Sequence, residues 1–274
     1  MTNKLQSLPP VSEMMRNAGL EPKRSLGQNF LFDLNLTGRI ARSVPDIENT
    51  DVIEIGPGPG GLTRALLLAG ARRVIAIEKD ATTAPILDSI AVAADGRLTV
   101  VYDDALRVDF SALGVREYAI CSNLPYNVGT ELYTRWLIRA AHGEPIKSMT
   151  LMFQREVAQR ITAKCGDEHY GRLAVLTSLI ADARILFDVP NTAFVPRPRV
   201  QSAVVGIIPN HDKIRMINDV EKIETITAKL FGHRRKMIRG IMPGVDWARY
   251  GLNGTERAED LHPEIFAQMA HDLL

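Results

Sequence analysis

A chain of 274 residues is long enough for one large domain or a domain with an appendage, and 46% hydrophobic with 24% charged residues excludes a disordered chain, a collagen-like fibre and a coiled coil. With 33 basic and 32 acidic side chains the net charge is +1, so only a local cluster of charge could mark a polyanionic partner. Two cysteines without a CxxC pair and six histidines without zinc-ligand spacing speak against a disulfide framework and a metal, while the lack of a signal-peptide core and of any apolar run near the roughly 18 to 20 residues of a membrane span leads to the expectation of a cytoplasmic, non-membrane protein.

In chain order, an amphipathic stretch over residues 11–18 ends at Gly19, which tolerates the left-handed turn after a helix, and residues 20–32 read as loop. Asp33 is placed to cap a helix carrying Leu36, Ile40, Ala41 and Val44, with Pro45 just past its end. Short apolar runs at 52–55, 74–77, 98–101, 118–121 and 149–153 then alternate with helical segments, the pattern of βαβ crossovers in a parallel sheet. Two more β-like runs, 184–189 and 204–208, flank the proline-rich stretch 190–198 and are expected to add antiparallel strands at the sheet edge. Beyond residue 210 the spacing of Val220, Ile223, Leu230, Phe231, Ile238 and Ile241 is helical until Pro243-Gly244. An α/β domain over 1–209 and a small all-helical domain over 210–274 are therefore expected.

Residues 54–61 read EIGPGPGG, directly after the first strand of the sheet and before a helix, where open α/β sheets bind nucleotide-like ligands. Gly56, Gly58 and Gly61 satisfy GxGxxG, which alone does not separate an NAD site from others. Pro57 and Pro59 help decide, because each removes a backbone N–H that a pyrophosphate would use. A ligand without phosphate suits the loop better, and S-adenosylmethionine is one. Glu78, ending the second strand 22 residues after Gly56, can accept both ribose hydroxyls, a task common to both cofactors. After the third strand Asp103 and Asp104 offer carboxylates for an adenine amino group, Asp104 being preferred.

After the fourth strand comes Asn123-Leu124-Pro125-Tyr126. The exocyclic amine of a nucleobase is a poor nucleophile because its lone pair is delocalised into the ring. Two acceptors, the Asn123 side-chain carbonyl and the Leu124 backbone carbonyl, could hold its N–H groups and turn the lone pair toward a sulfonium methyl. Pro125 stiffens this geometry, and Tyr126 offers a face on which an extruded base can stack.

SLGQNFL (25–31), EIGPGPGGLT (54–63), IEKD (77–80), DDAL (103–106), SNLPYN (122–127), FQREVAQRI (153–161), YGRLAVL (170–176), AFVPRPRVQSAVV (193–205) and FGHRRKMIR (231–239) together resemble the ribosomal RNA adenine N6-dimethyltransferases, most closely their bacterial small-subunit (16S) branch. The resemblance covers nearly the whole chain. It implies a Rossmann-like, seven-stranded S-adenosylmethionine-dependent methyltransferase sheet, with dimethylation of two adjacent adenosines in a hairpin near the 3′ end of 16S rRNA and a part in ribosome biogenesis. By position it implies that Asn29 and Leu31 close over the cofactor, Gly56 meets its amino-acid end, Glu78 its ribose, Asp104 its adenine, and Asn123 both cofactor and target. Phe194 would be a second aromatic wall opposite Tyr126. Gly129 departs from the serine of many relatives, which is expected to loosen the loop after the motif without removing a contact.

Lys229, Arg234, Arg235, Lys236 and Arg239 form an acid-free run, read as a helical stripe able to follow a phosphate backbone, and Lys23, Arg24, Arg197 and Arg199 extend the basic set. A monomer acting on 16S rRNA within the small subunit, with S-adenosylmethionine and no metal, is the reading these features favour. The alternatives are a large-subunit rRNA dimethylase, a DNA adenine methylase, which NLPY in place of an acidic DPPY-type motif disfavours, an assembly factor with vestigial catalysis, and an NAD-dependent reductase.

Overall fold

A computed structural model of the chain describes residues 4–22 and 28–273. Its seven-stranded sheet consists of β1 (Asp51–Ile55), β2 (Arg73–Glu78), β3 (Leu98–Tyr102), β4 (Tyr118–Asn123), β5 (Ile146–Gln154), β6 (Ala181–Val189) and β7 (Ser202–Pro209). The strand order is 3-2-1-4-5-7-6. The pairs β1–β2, β2–β3, β1–β4 and β4–β5 are parallel, and β7 is antiparallel to β5. Strand β1 is buried throughout, as a central strand of a parallel sheet must be, whereas the edge strand β6 exposes Asp182, Arg184, Ile185 and Asp188. Both late runs do join the sheet, but the last strand inserts between β5 and β6, so the earlier of the two forms the edge.

Two helices follow the strands that matter most for the site: Gly61–Leu68 after β1 and Gly129–Ala141 after β4. The helix Leu34–Ala41 begins where Asp33 predicts it, the carboxylate accepting from the N–H of Asn35 at 2.8 Å and of Leu36 at 3.4 Å. The segment read as loop over 20–32 contains a strand, Phe30–Leu31, paired antiparallel with Phe194–Val195. Two residues are too short a run to show a period in sequence.

This ribbon sits tightly on the glycine loop. A Cβ on Gly61 would lie 2.5 Å from the Leu31 carbonyl oxygen, and one on Gly58 would lie 2.7 Å from the Phe30 ring. Gly58 also has φ +54°. Only glycine accommodates both the conformation and the approach.

Contacts divide the chain into two units: residues 1–132, 145–155 and 185–207, and residues 133–144, 156–184 and 208–274. This differs from a single cut at residue 209, because residues 133–144 and 156–184 group with the C-terminal part, the helix Arg172–Ile180 packing against the helices Val220–Phe231 and Pro263–Leu273. In the second unit Phe231 stacks on Phe266 at 5.6 Å, Tyr170 meets Phe231 edge-on at 6.0 Å, and the Tyr170 hydroxyl donates to the Leu261 carbonyl at 2.9 Å. The basic run 229–239 is not a helical stripe. The helix Val220–Phe231 stops at Gly232, residues 232–236 form an exposed turn, and a short helix resumes at Ile238–Ile241.

In the first unit the N-terminal helices are anchored by one side chain. Arg64, only 3% exposed, donates to the carbonyls of Pro9 at 2.7 Å, Leu8 at 2.9 Å and Gln6 at 3.4 Å, while Leu5, Val11 and Met15 bury their side chains. Arg64→Met keeps the apolar stem and removes these charge-assisted bonds. It is expected to destabilise the fold by about 1 to 3 kcal/mol and to expose residues 4–17 to limited proteolysis. Wild-type protease resistance would show that apolar packing alone holds the segment.

Candidate active site

The order 3-2-1-4 reverses direction between β1 and β4, and a crevice opens where the two crossovers leave in opposite senses. Asn29, Leu31, Gly56, Glu78, Asp104 and the whole Asn123–Tyr126 motif line one cleft at this point. Nine of the positions expected from sequence are thus brought together from five chain segments.

Between Gly56 and Gly60 the glycine loop has no spare backbone donor for a pyrophosphate. Pro57 and Pro59 have no N–H, the Gly56 N–H donates to the Ile77 carbonyl at 2.9 Å, the Gly58 N–H to Glu78 Oε2 at 2.9 Å, and the Gly60 N–H to the Pro57 carbonyl at 3.0 Å. Between residues 56 and 60 every amide is missing or already committed. Glu78 Oε1 accepts from the Asp80 N–H at 2.7 Å, so the carboxylate is held at both oxygens, each retaining lone-pair capacity for a hydroxyl. Burial pushes the Glu78 carboxyl up, and the backbone donors offset part of that rise.

Among the described residues, four carboxyl side chains, Glu54, Glu78, Asp103 and Asp104, line the cleft against one cation, Lys79. Lys79 Nζ lies 2.8 Å from Asp104 Oδ2, and this bond holds the Asp104 carboxyl below its ordinary range. The other Asp104 oxygen accepts from the Leu106 N–H at 3.0 Å. Glu54 was not assigned a role from the sequence. Glu54 is 1% exposed, Oε2 has no hydrogen-bond partner, and burial pushes the carboxyl up to about 8, the charge of Glu78 adding to the rise. An adenosine with a cationic amino-acid tail fits this set of groups: a fixed ribose acceptor, an excess of acid, and a loop whose residues 56–60 offer phosphate no free amide.

At the end of β4, Ser122 Oγ donates to the Ile55 carbonyl and so ties the motif to the last residue of β1. Asn123 Nδ2 donates to the Asn29 carbonyl at 2.9 Å. That bond uses one of the two N–H groups and leaves Oδ1 as an acceptor for a ligand. The Pro125 carbonyl accepts from the Val128 N–H at 3.2 Å and the Gly129 N–H at 2.9 Å, turning the chain into the following helix. A Cβ at Gly129 would stand 3.3 Å from Leu124 Cβ, so a side chain there would press on the motif. The Tyr126 hydroxyl is 2.7 Å from Ser202 Oγ, and burial pushes the phenol pKa up.

Phe194 does not line the cleft. It is 2% exposed, pairs with Leu31 in the ribbon, and belongs to the apolar core of the first unit. Arg197 and Arg199 are on the link between the ribbon and β7. Arg235 and Lys236 are exposed in the turn, while Arg234 lies 3.6 Å from Glu259 Oε2. Lys23 and Arg24 lie outside the described residues. Among the described residues no group of three or more His, Cys, Asp or Glu is gathered as a metal site would require, and no helix is long and apolar enough to cross a membrane.

Comparison with known proteins gives a consistent set of likenesses. The family described as "Ribosomal RNA adenine dimethylase" matches residues 19–272. Two proteins named "Ribosomal RNA small subunit methyltransferase A", from Chelativorans sp. (strain BNC1) and from Mesorhizobium japonicum, are each 48% identical, and the matched regions span 98% of this chain and 99% of each relative. Among solved structures, a dimethyladenosine transferase from Plasmodium falciparum matches with TM-score 0.73 and 23% identity, covering 86% of this chain and 94% of that one. A 23S rRNA methyltransferase, ErmE, matches with TM-score 0.66 and 23% identity, covering 89% and 98%, a likeness of fold.

The state of Glu54 has a measurable consequence. Its folded value near 8 exceeds the ordinary 4.5, so its neutral form favours the fold at low pH, and that contribution is lost as pH rises from about 4.5 through about 8. Glu54→Gln removes the titration. Without added ligand, its melting temperature should fall less between about pH 5 and about pH 8.5 than that of the wild type. Parallel melting profiles for the two proteins would contradict a buried, neutral Glu54.

Proposed function

Because the chain belongs to the ribosomal RNA adenine dimethylase family, we propose that it dimethylates the N6 amino groups of two adjacent adenosines in a hairpin near the 3′ end of 16S rRNA, acting on the small ribosomal subunit in the cytoplasm as part of ribosome biogenesis. The observation that carries the reading is the joining, in one cleft, of a glycine loop with no free amide between Gly56 and Gly60 to an Asn123 side chain whose nitrogen donates to the Asn29 carbonyl.

S-adenosylmethionine, when bound, supplies a methyl group made electrophilic by its sulfonium. Glu78 holds the ribose, Asp104 accepts from the adenine amine, Gly56 permits close backbone approach to the amino-acid end, and Asn29 and Leu31 cover the site. Asn123 Oδ1 and the Leu124 carbonyl orient the target amine by its N–H groups, and Tyr126 stacks the base. Neither a side-chain nucleophile nor a metal has a part in this arrangement. The gain is positional, and a fixed acceptor in a water-poor cleft is where positioning is most effective. The intact acceptor geometry at Asn123 favours catalysis over a binding-only assembly role.

The RNA partner is proposed to meet the cations Arg197, Arg199, Arg235 and Lys236, with Arg234 shared with Glu259. Their placement on a turn and a link suits contact with phosphates of a folded RNA better than insertion along a groove.

Asn123→Ala should reduce methyl transfer to undermethylated small subunits by about 100-fold or more, with cooperative melting retained. Near-normal turnover would remove Asn123 from the chemistry. Glu78→Gln should weaken S-adenosylmethionine binding about tenfold, the scale of one charge-assisted hydrogen bond. Tight NAD binding by the wild type would instead favour the dinucleotide reading. Neutralising Arg234, Arg235 and Lys236 together should weaken binding to the subunit but not to the cofactor, and should flatten the salt dependence by about 0.7 to 0.9 in log–log slope for every phosphate that is no longer neutralised. A folded triple variant with an unaltered slope would leave phosphate binding to the remaining basic residues.

A further inference from the structure

The motif that presents the target base is held at its backbone by the turn Pro125–Gly129, but the ring of Tyr126 projects from that turn on a stem with its own rotational freedom. A ring that stacks a base is useful only if its plane is set before the base arrives, because each unfixed rotamer is an entropy loss charged to binding. The polar handle that sets the plane is the phenol hydroxyl, and its partner is Ser202 Oγ at 2.7 Å.

Ser202 is well suited to act as a fixed post. It is fully buried, opens β7, and pairs with Gln154 in the antiparallel ladder to β5. The adjacent Arg155 N–H donates to the Gln201 carbonyl at 2.9 Å, closing the ladder on that side. Strand β5 in turn pairs with β4, where Met152 stands opposite Asn123. Ser202 is thus connected through two strands of continuous pairing to the residue that orients the amine. The two ends of the substrate site, the Asn123 acceptor and the Tyr126 ring, are referred to the same rigid sheet.

We propose that Ser202 is a positioning residue for the target base, acting through the Tyr126 hydroxyl to fix the stacking face. The proposal rests on the reading of Tyr126 as the stacking residue. Ser202 touches neither the base nor the cofactor, and its loss leaves a half-buried phenol without its partner. The ring then samples orientations in which the amine no longer meets Asn123 Oδ1 and the Leu124 carbonyl together.

Four variants test this: Ser202→Ala, Tyr126→Phe, the double variant, and Tyr126→Ala. For each, kcat/KM for methyl transfer to undermethylated small subunits and Kd for S-adenosylmethionine are measured below the melting transition. Fluorescence of 2-aminopurine placed at the target position of an RNA hairpin reports stacking directly, a signal that a general loss of stability in a still-folded protein does not move. Ser202→Ala is expected to lower kcat/KM about tenfold, the scale of one hydrogen bond, with cofactor Kd unchanged, and to reduce the stacking signal. Tyr126→Phe breaks the same bond from the other side, so the test stands even if the alanine variant fails to fold. It should produce a similar loss, and the double variant should be no worse than either single one. Unchanged kcat/KM in both single variants, with Tyr126→Ala inactive, would overturn the proposal while leaving Tyr126 as the stacking residue. Multiplied losses in the double variant would overturn it as well, showing that the two side chains act separately. Full activity and an unaltered stacking signal in Tyr126→Ala would overturn the reading of Tyr126 itself.

Discussion

The bond between the Gly58 N–H and the Glu78 carboxylate organises the site, because it joins the loop after β1 to the end of β2 and sets where everything above them can lie. Once the loop is pinned, the Phe30 ring has one place to rest, against Gly58, and the Leu31 carbonyl settles over Gly61. That seating brings the Asn29 carbonyl to Asn123 Nδ2 and so selects which end of the Asn123 amide faces a ligand. The carboxylate proposed to hold a ribose is therefore also linked, through the ribbon, to the acceptor proposed for the target amine. Pre-organisation of this kind is achieved with backbone donors and close packing rather than with mobile side chains.

The cleft gathers chemistry that would be unfavourable elsewhere in the molecule. Glu54 is buried with one carboxyl oxygen unpartnered, and the charge of the buried Glu78 adds to its difficulty in ionising. Such local conflict is tolerated where a ligand resolves it. A cationic ligand would do so, and a dianionic dinucleotide would aggravate it. The same acid excess explains why Lys79 is drawn to Asp104, since unpaired carboxylates at the ends of β2 and β3 would repel.

Division of labour between the two units follows from composition. The sheet unit needs apolar strands buried on both faces, which leaves its functional groups to the loops at the carboxyl ends of the strands. The helical unit has an aromatic core around Tyr170, Phe231 and Phe266 and a surface on which a turn such as 232–236 can present cations without disturbing a helix. The helix ends at Gly232, immediately after the buried Phe231.

The strands, the two motif loops and seven of the nine cleft residues were legible in the sequence because each depends on local order, whereas Asn29 and Leu31 were indicated only by the family resemblance. Hydrophobic period distinguishes strand from helix, glycine and proline fix loop chemistry, and a residue at a strand's carboxyl end must face the crevice. What the tertiary structure alone decided depended on partners distant in sequence. The ribbon Phe30–Leu31 exists because Phe194–Val195 pairs with it, and Phe194 is buried there in the core. The insertion of β7 between β5 and β6 places Ser202 beside Tyr126, 76 residues away. Burial, not residue type, raises Glu54 to about 8. In the basic run 229–239, cation spacing was compatible with a helix, but residues 232–236 form a turn once Phe231 is buried against Phe266. Sequence carries the preferences of each segment, whereas contacts between segments determine which preference is realised, because burial and long-range pairing involve free energies that no single segment contains.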